Sequence, residues 1–282
     1  MKRLLMLTAA LLTLALTLSP VWAGGWPFAY KLKPGQTWTV TMAQQNTSNV
    51  MGQKDVNRNK HQIRYTVSAG PKKGWVTLTA KFLKSAGTES GMDMGKMTFT
   101  ADMHTSGEFR NKKVTGSPAP PMGDMEGVPP EMKAMLAQSY QSMGEMWKET
   151  VFWFPEFPEG KLDLGDEFEM TQKMGSGGGI MGVESVIKQV FTLEDVSDGL
   201  AYFSVRQRAV SKTAGMGSKT TTKTAGKGET IFDLKAGMWV EVVTLSQSSI
   251  NMGSMPGMTG TPGMPSGEQK MQHMTKITVE RR

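Results

Sequence analysis

Leu162-Asp163-Leu164-Gly165-Asp166-Glu167-Phe168 repeats the plan of an earlier stretch, Leu32-Lys33-Pro34-Gly35-Gln36-Thr37-Trp38. Each runs from an apolar residue through a glycine turn into a strand that opens on an aromatic. Two more matches follow in the same order. Tyr65-Thr66-Val67, a turn at Gly74 and Trp75-Val76 correspond to Phe191-Thr192-Leu193, Gly199 and Leu200-Ala201. Asp102-Met103-His104-Thr105-Ser106-Gly107-Glu108-Phe109 corresponds to Asp233-Leu234-Lys235-Ala236-Gly237-Met238-Trp239, one residue shorter. Strand–glycine–strand patterns are common, so a single match is weak; three in one order argue for an internal duplication.

Around these anchors the chain alternates with period two, the signature of strands. Trp38, Val40 and Met42 face one way while Thr37, Thr39 and Thr41 face the other. Ile63, Tyr65 and Val67 continue the pattern, as do Val76, Leu78, Ala80 and Phe82. In the second half Phe168 and Met170 alternate with Glu167 and Glu169, and Ile187, Phe191 and Leu193 share a face that Gln189 interrupts. Met238, Val240 and Val242 follow, then Ile277 and Val279. Long strands joined by glycine-bearing turns predict antiparallel pairing, one face apolar and one wet. Three stretches are poor in core formers: 85–96 with 114–128, 211–228, and 250–269. They read as long hairpin loops or excursions.

One helix interrupts the strands. Pro129-Pro130 before Glu131 suits a helix start, and Met132, Met135, Leu136, Tyr140, Met143, Met146 and Trp147 recur at helical spacing. The expected fold is mainly β: duplicated antiparallel sheets curving toward a barrel or half-barrel, with one central amphipathic helix. The expected organisation is a leader over 1–23, a first β-rich repeat over 24–128, a connecting helix over 129–148 and a second repeat over 149–282.

The leader reading rests on Lys2-Arg3, an apolar run from Leu4 to Leu18, Pro20, and small residues at Val21 and Ala23 before Gly24. That is the pattern of a cleaved signal peptide, and the run is short for a bilayer span. The expected location is periplasmic or secreted, with no transmembrane segment in the mature chain. The chain has no cysteine, which excludes disulfides, thiolate metal sites and thiol nucleophiles together. Its formal charge of +7 is spread over scattered Lys and Arg. No arrangement of basic and aromatic residues resembles a nucleic-acid reader, so none is expected as a partner.

Phe154-Pro155-Glu156-Phe157-Pro158, leading into the Leu162–Phe168 stretch, resembles a unit of exported bacterial proteins of unknown function. In those, a Phe-Pro pair and a Gly-Asp-x-aromatic turn open the second β-rich repeat. More loosely, the expected architecture resembles the half-barrels of the lipoprotein carriers LolA and LolB. That resemblance implies a sheet wrapped around helices and enclosing an apolar cavity.

Catalytic patterns are missing. There is no Gly-x-Ser-x-Gly, no His-Glu-x-x-His, and only His61, His104 and His273 to serve a triad. Gly175-Ser176-Gly177-Gly178-Gly179 lacks the Lys-Ser/Thr of a phosphate loop. The sequence therefore points to a non-catalytic binding protein without a cofactor, its partner an apolar, lipid-like small molecule or an envelope protein. The residues expected to line a cavity are Trp38, Met42, Met135, Tyr140, Met143, Trp147, Trp153 and Phe168.

The 25 methionines support a second reading. Thioethers prefer Cu(I) or Ag(I), and several methionines cluster near a histidine. That set is Met92, Met94, Met97, Met103 and His104, with Met252, Met255, Met258, Met271, His273 and Met274. A third reading is a purely structural or assembly role.

Overall fold

A computed structural model of the chain describes residues 24–50, 53–86, 94–116, 129–176, 181–215, 218–252 and 269–281. The leader lies outside the described residues. The strands are β1 (Trp26–Pro27), β2 (Thr37–Val50), β3 (Gln53–Ala69), β4 (Trp75–Ala86), β5 (Thr98–His104) and β6 (Phe109–Thr115). After helix α1 (Pro130–Val151) come β7 (Lys161–Leu162), β8 (Glu167–Ser176), β9 (Met181–Ser197), β10 (Leu200–Gly215), β11 (Ser218–Asp233), β12 (Met238–Met252) and β13 (Gln269–Arg281).

The two halves do not form separate sheets. They share one 11-stranded antiparallel sheet in the order β6-β5-β4-β3-β2-β13-β12-β11-β10-β9-β8, and β1 pairs with β7 apart from it. The last strand is the splice: β13 pairs with β12 on one side and β2 on the other, Ile277 opposite both Val242 and Met42.

β6 and β8 end the sheet without pairing each other. Ten spacings of ~4.8 Å would hold those edges about 48 Å apart if the sheet were flat, whereas a helix is about 10–12 Å across. Yet α1 touches both edges. Glu149 accepts from Lys112 Nζ of β6 at 2.5 Å, and its backbone carbonyl accepts from Gln172 Nε2 of β8 at 3.5 Å. The sheet is therefore curled into an unclosed barrel, with the helix seated in the seam. The helix ends at Val151, three residues beyond the expected 148, because Phe152 still bonds back to the Lys148 carbonyl.

At one end of the curl the interior is filled with rings. Phe157 lies 5.0–5.7 Å from Phe28, Tyr30, Phe168, Phe232 and Trp239. Tyr30 joins the halves: its hydroxyl donates to the Pro155 carbonyl at 2.8 Å and accepts from Trp239 Nε1 at 2.7 Å. Burial raises its pKa well above the ordinary tyrosine value, so it stays a protonated donor.

Toward the other end the same inner face turns polar but uncharged. Ser185 meets Ser211 at 2.8 Å, Gln189 meets Gln207 at 3.0 Å, Thr224 meets Ser248 at 2.7 Å, and His273 meets Asn46 at 2.9 Å. These pairs bridge neighbouring strands, as cross-strand pairs do. They explain why 211–228, expected as a loop, is strand on both sides of the β10–β11 hairpin. A ladder with polar residues on both faces needs no core formers to pair its backbone. Of the other stretches, 85–86, 114–115, 250–252 and 269 extend strands β4, β6, β12 and β13, while Met94–Lys96 forms a 3-10 turn.

Candidate functional site

The two halves make the same turns. In the first, Gly35 N–H donates to Val67 O and Val67 N–H to Gln36 O; in the second, Gly165 N–H donates to Leu193 O and Leu193 N–H to Asp166 O. Trp38 stacks on Tyr65 at 5.2 Å and 2°, as Phe168 stacks on Phe191 at 4.9 Å and 8°. Further on, Thr105 N–H donates to Gly74 O as Leu234 N–H does to Gly199 O. This last pair of bonds places His104 opposite Asp233 in the comparison of halves, rather than Asp102. Counted from there to Phe109 and Trp239, the second half is then one residue longer than the first, not shorter.

A cleft of about 340 Å³ opens where the β3–β4 turn meets the end of β5. Its floor is apolar: Tyr30, Leu32, Ala69, Val76 and Met103. Its rim carries Lys72, Lys73 and His104, and no lining residue is acidic. The size and the mix of apolar wall with a few polar groups match small-molecule sites. Trp75 stands at the edge, its ring 5.3 Å from Lys72 Nζ, 4.9 Å from Arg110 Cζ and 5.2 Å from the His104 ring. These cations cover an aromatic that points to the convex side of the sheet.

The acids nearby are already engaged. Glu108 pairs with Arg110 at 2.6 Å. Asp102 accepts from Thr77 Oγ1 at 2.6 Å and Asn111 Nδ2 at 2.8 Å, and these bonds hold its pKa below the usual carboxylate value. His104 Nδ1 meets Ser106, whose hydroxyl lies 3.0 Å and backbone N–H 3.3 Å from it, while Nε2 takes part in neither contact. That nitrogen lies over Gly74, where an added Cβ would come within 3.2 Å of it.

Five of the eight residues expected to line a cavity have described side chains, and none of those five lines this cleft. Trp38, Met42, Trp147, Trp153 and Phe168 are buried in the packed core. Trp147 lies against His61 and Phe82, and Trp153 stacks on Phe154. The side chains of Met135, Tyr140 and Met143 lie outside the description. Met103 and His104, expected as metal ligands, line the cleft instead, together with Lys72 and Lys73, which the sequence reading did not single out. Their signal was a difference between the repeats: five residues, Gly70-Pro71-Lys72-Lys73-Gly74, join β3 to β4, where Asp198-Gly199 alone joins β9 to β10.

The thioether set is scattered in its described part. Met94, Met97 and Met103 are buried in the core. Met271 and His273 share the inner face of β13, while Met274 is exposed on the outer one. Met92, Met255 and Met258 lie outside the described residues, as does the side chain of Met252. Among the described residues no group of three His, Asp or Glu could hold a metal ion.

No protein-family model and no curated protein matches the chain. Among solved structures it is similar to Ail, the attachment invasion locus protein of Yersinia pestis, at 8% identity over 88% of this chain and 99% of that one, with a TM-score of 0.21. OccAB3 of Acinetobacter baumannii gives 5% identity over 88% and 99%, with a TM-score of 0.22. An outer membrane channel from Pseudomonas putida F1 gives 10% over 93% and 99%, with a TM-score of 0.19. Scores this low carry nothing about function. The outer face itself is informative: Arg58, Lys60, Lys188, Arg206, Arg208, Lys223, Lys227 and Lys276 are exposed there. A barrel facing lipid needs an outward apolar band about 25 Å tall, and cations on five strands interrupt any such band. Among the described residues the chain is a mainly β protein whose 11-stranded antiparallel sheet curls without closing, with one helix bridging its two edges.

Proposed function

We propose that this is a non-catalytic binding protein of the bacterial envelope that holds a small, largely apolar molecule in the cleft between the β3–β4 turn and β5. The observation that carries the reading is the cleft itself, an apolar floor open to water beside the ring-filled end of the scaffold. Export supports the location through the leader read from Lys2 to Ala23. The charged outer face supports a protein that works in water beside a membrane rather than within it.

The test is native mass spectrometry of the mature chain purified without detergent, beside the variant Ala69→Trp. Ala69 is exposed at the cleft, so a large side chain there fills space without disturbing the core. The expected result is a co-purifying small molecule on the wild type, released by organic solvent and lost in the variant. Bare protein, or equal retention by the variant, overturns the reading.

A further inference from the structure

We infer that the cleft selects molecules with an anionic head, a carboxylate or a phosphate carried on an apolar body. The inference rests on the proposed function above and names the class of its ligand. Three basic side chains line the cleft, Lys72, Lys73 and His104, and no acidic one does. Its apolar lining is Leu32, Ala69, Val76, Met103 and the ring of Tyr30. An uncharged ligand would leave the rim unused, and a cationic one would meet repulsion from it.

The second half acts as an internal control. At the equivalent lip the turn shrinks to Asp198-Gly199, Leu200 replaces Trp75, and Asp233 replaces His104. Asp233 turns inward on its own hairpin, its Oδ1 accepting from Ala236 N–H at 2.7 Å. The scaffold therefore does not require lysines or a histidine at this place. The basic insertion is a property of one lip only, and it coincides with the cleft.

Four probes of one chain length separate the outcomes: decanoate, decyl phosphate, decanol and decyltrimethylammonium, each below its micelle concentration. They are titrated calorimetrically into the mature chain, into the double variant Lys72→Glu/Lys73→Glu, and into the control Lys223→Glu/Lys227→Glu on the outer face of β11. The expected order places both anions at least about tenfold tighter than decanol, with decyltrimethylammonium weakest. Added salt weakens the anions alone. The cleft variant inverts the order and the β11 variant leaves it unchanged. Preference for decanoate over decyl phosphate, or the reverse, identifies which head is the native one.

Equal binding of all four probes overturns the anion inference and leaves the apolar reading standing. Binding of none overturns the reading beneath it. Anion binding that survives charge reversal at Lys72 and Lys73 overturns the assignment to this cleft.

Discussion

The β3–β4 lip and the β9–β10 lip sit at the same place in the two halves and share their backbone wiring, yet they present opposite chemistry. Thr105 bonds Gly74 as Leu234 bonds Gly199, and both glycines have positive φ, 81° and 79°. Around that common frame one lip carries Lys72, Lys73, Trp75 and His104, the other Asp198, Leu200 and Asp233. Scaffold and chemistry are separable here. Buried stacks and backbone bonds hold the geometry, and a short surface insertion supplies the basic side chains of one lip.

If the halves are packed alike, Trp38→Ala and Phe168→Ala should each cost about 3–5 kcal/mol, since each empties one member of a buried stacked pair. Urea unfolding of both variants checks this; a large loss in one and less than about 1 kcal/mol in the other breaks the equivalence.

Gly74→Ala and Gly199→Ala should each cost about 1–2 kcal/mol, because a Cβ is strained at positive φ. Gly74→Ala should lose more, since its Cβ meets His104 Nε2 at 3.2 Å while nothing lies within 4 Å at Gly199. Thermal melts of the pair measure the difference. Equal losses would mean that His104 moves aside freely.

Replacing residues 70–74 with Asp-Gly copies the second lip onto the first. The fold should survive, and decanoate affinity should fall at least tenfold, about 1.4 kcal/mol. Retained affinity in a folded graft would detach binding from the insertion.

The smallest effect belongs to the polar inner face. Burial lowers the pKa of His273, so the unfolded chain takes up a proton there before the folded one does. Stability from this group is full above the unfolded value of about 6.5 and is lost as pH falls toward the lowered folded value. His273→Gln should flatten that acid-side decline in urea midpoints. An unchanged slope would mean that other groups set it.

Much of the scaffold is legible in residue order. Period-two alternation marks β2, β3, β4, β8 and β9, and the Met-rich stripe after Pro129-Pro130 marks α1 within three residues of its end. The 211–228 stretch misleads because sequence patterns register apolar faces, and a hairpin such as β10–β11 can pair backbone to backbone with polar residues on both sides. The expected cavity residues mislead for a related reason. Trp38, Trp147, Trp153 and Phe168 are the right side chains for a lining, but an aromatic in a pocket wall and one in a packed core read the same in sequence.

By itself the sequence determined most of the strands, the helix, the first two matched turns and the absence of cysteine chemistry, because each depends on residues close along the chain. Only the tertiary structure decided that β13 joins the halves into one sheet, that α1 fills the seam, and that open space remains at one lip. Those outcomes depend on contacts between residues as distant as Tyr30 and Trp239, 209 positions apart. Local periodicity says which face of a segment is apolar; it does not say which faces meet or whether their side chains fill the space between them.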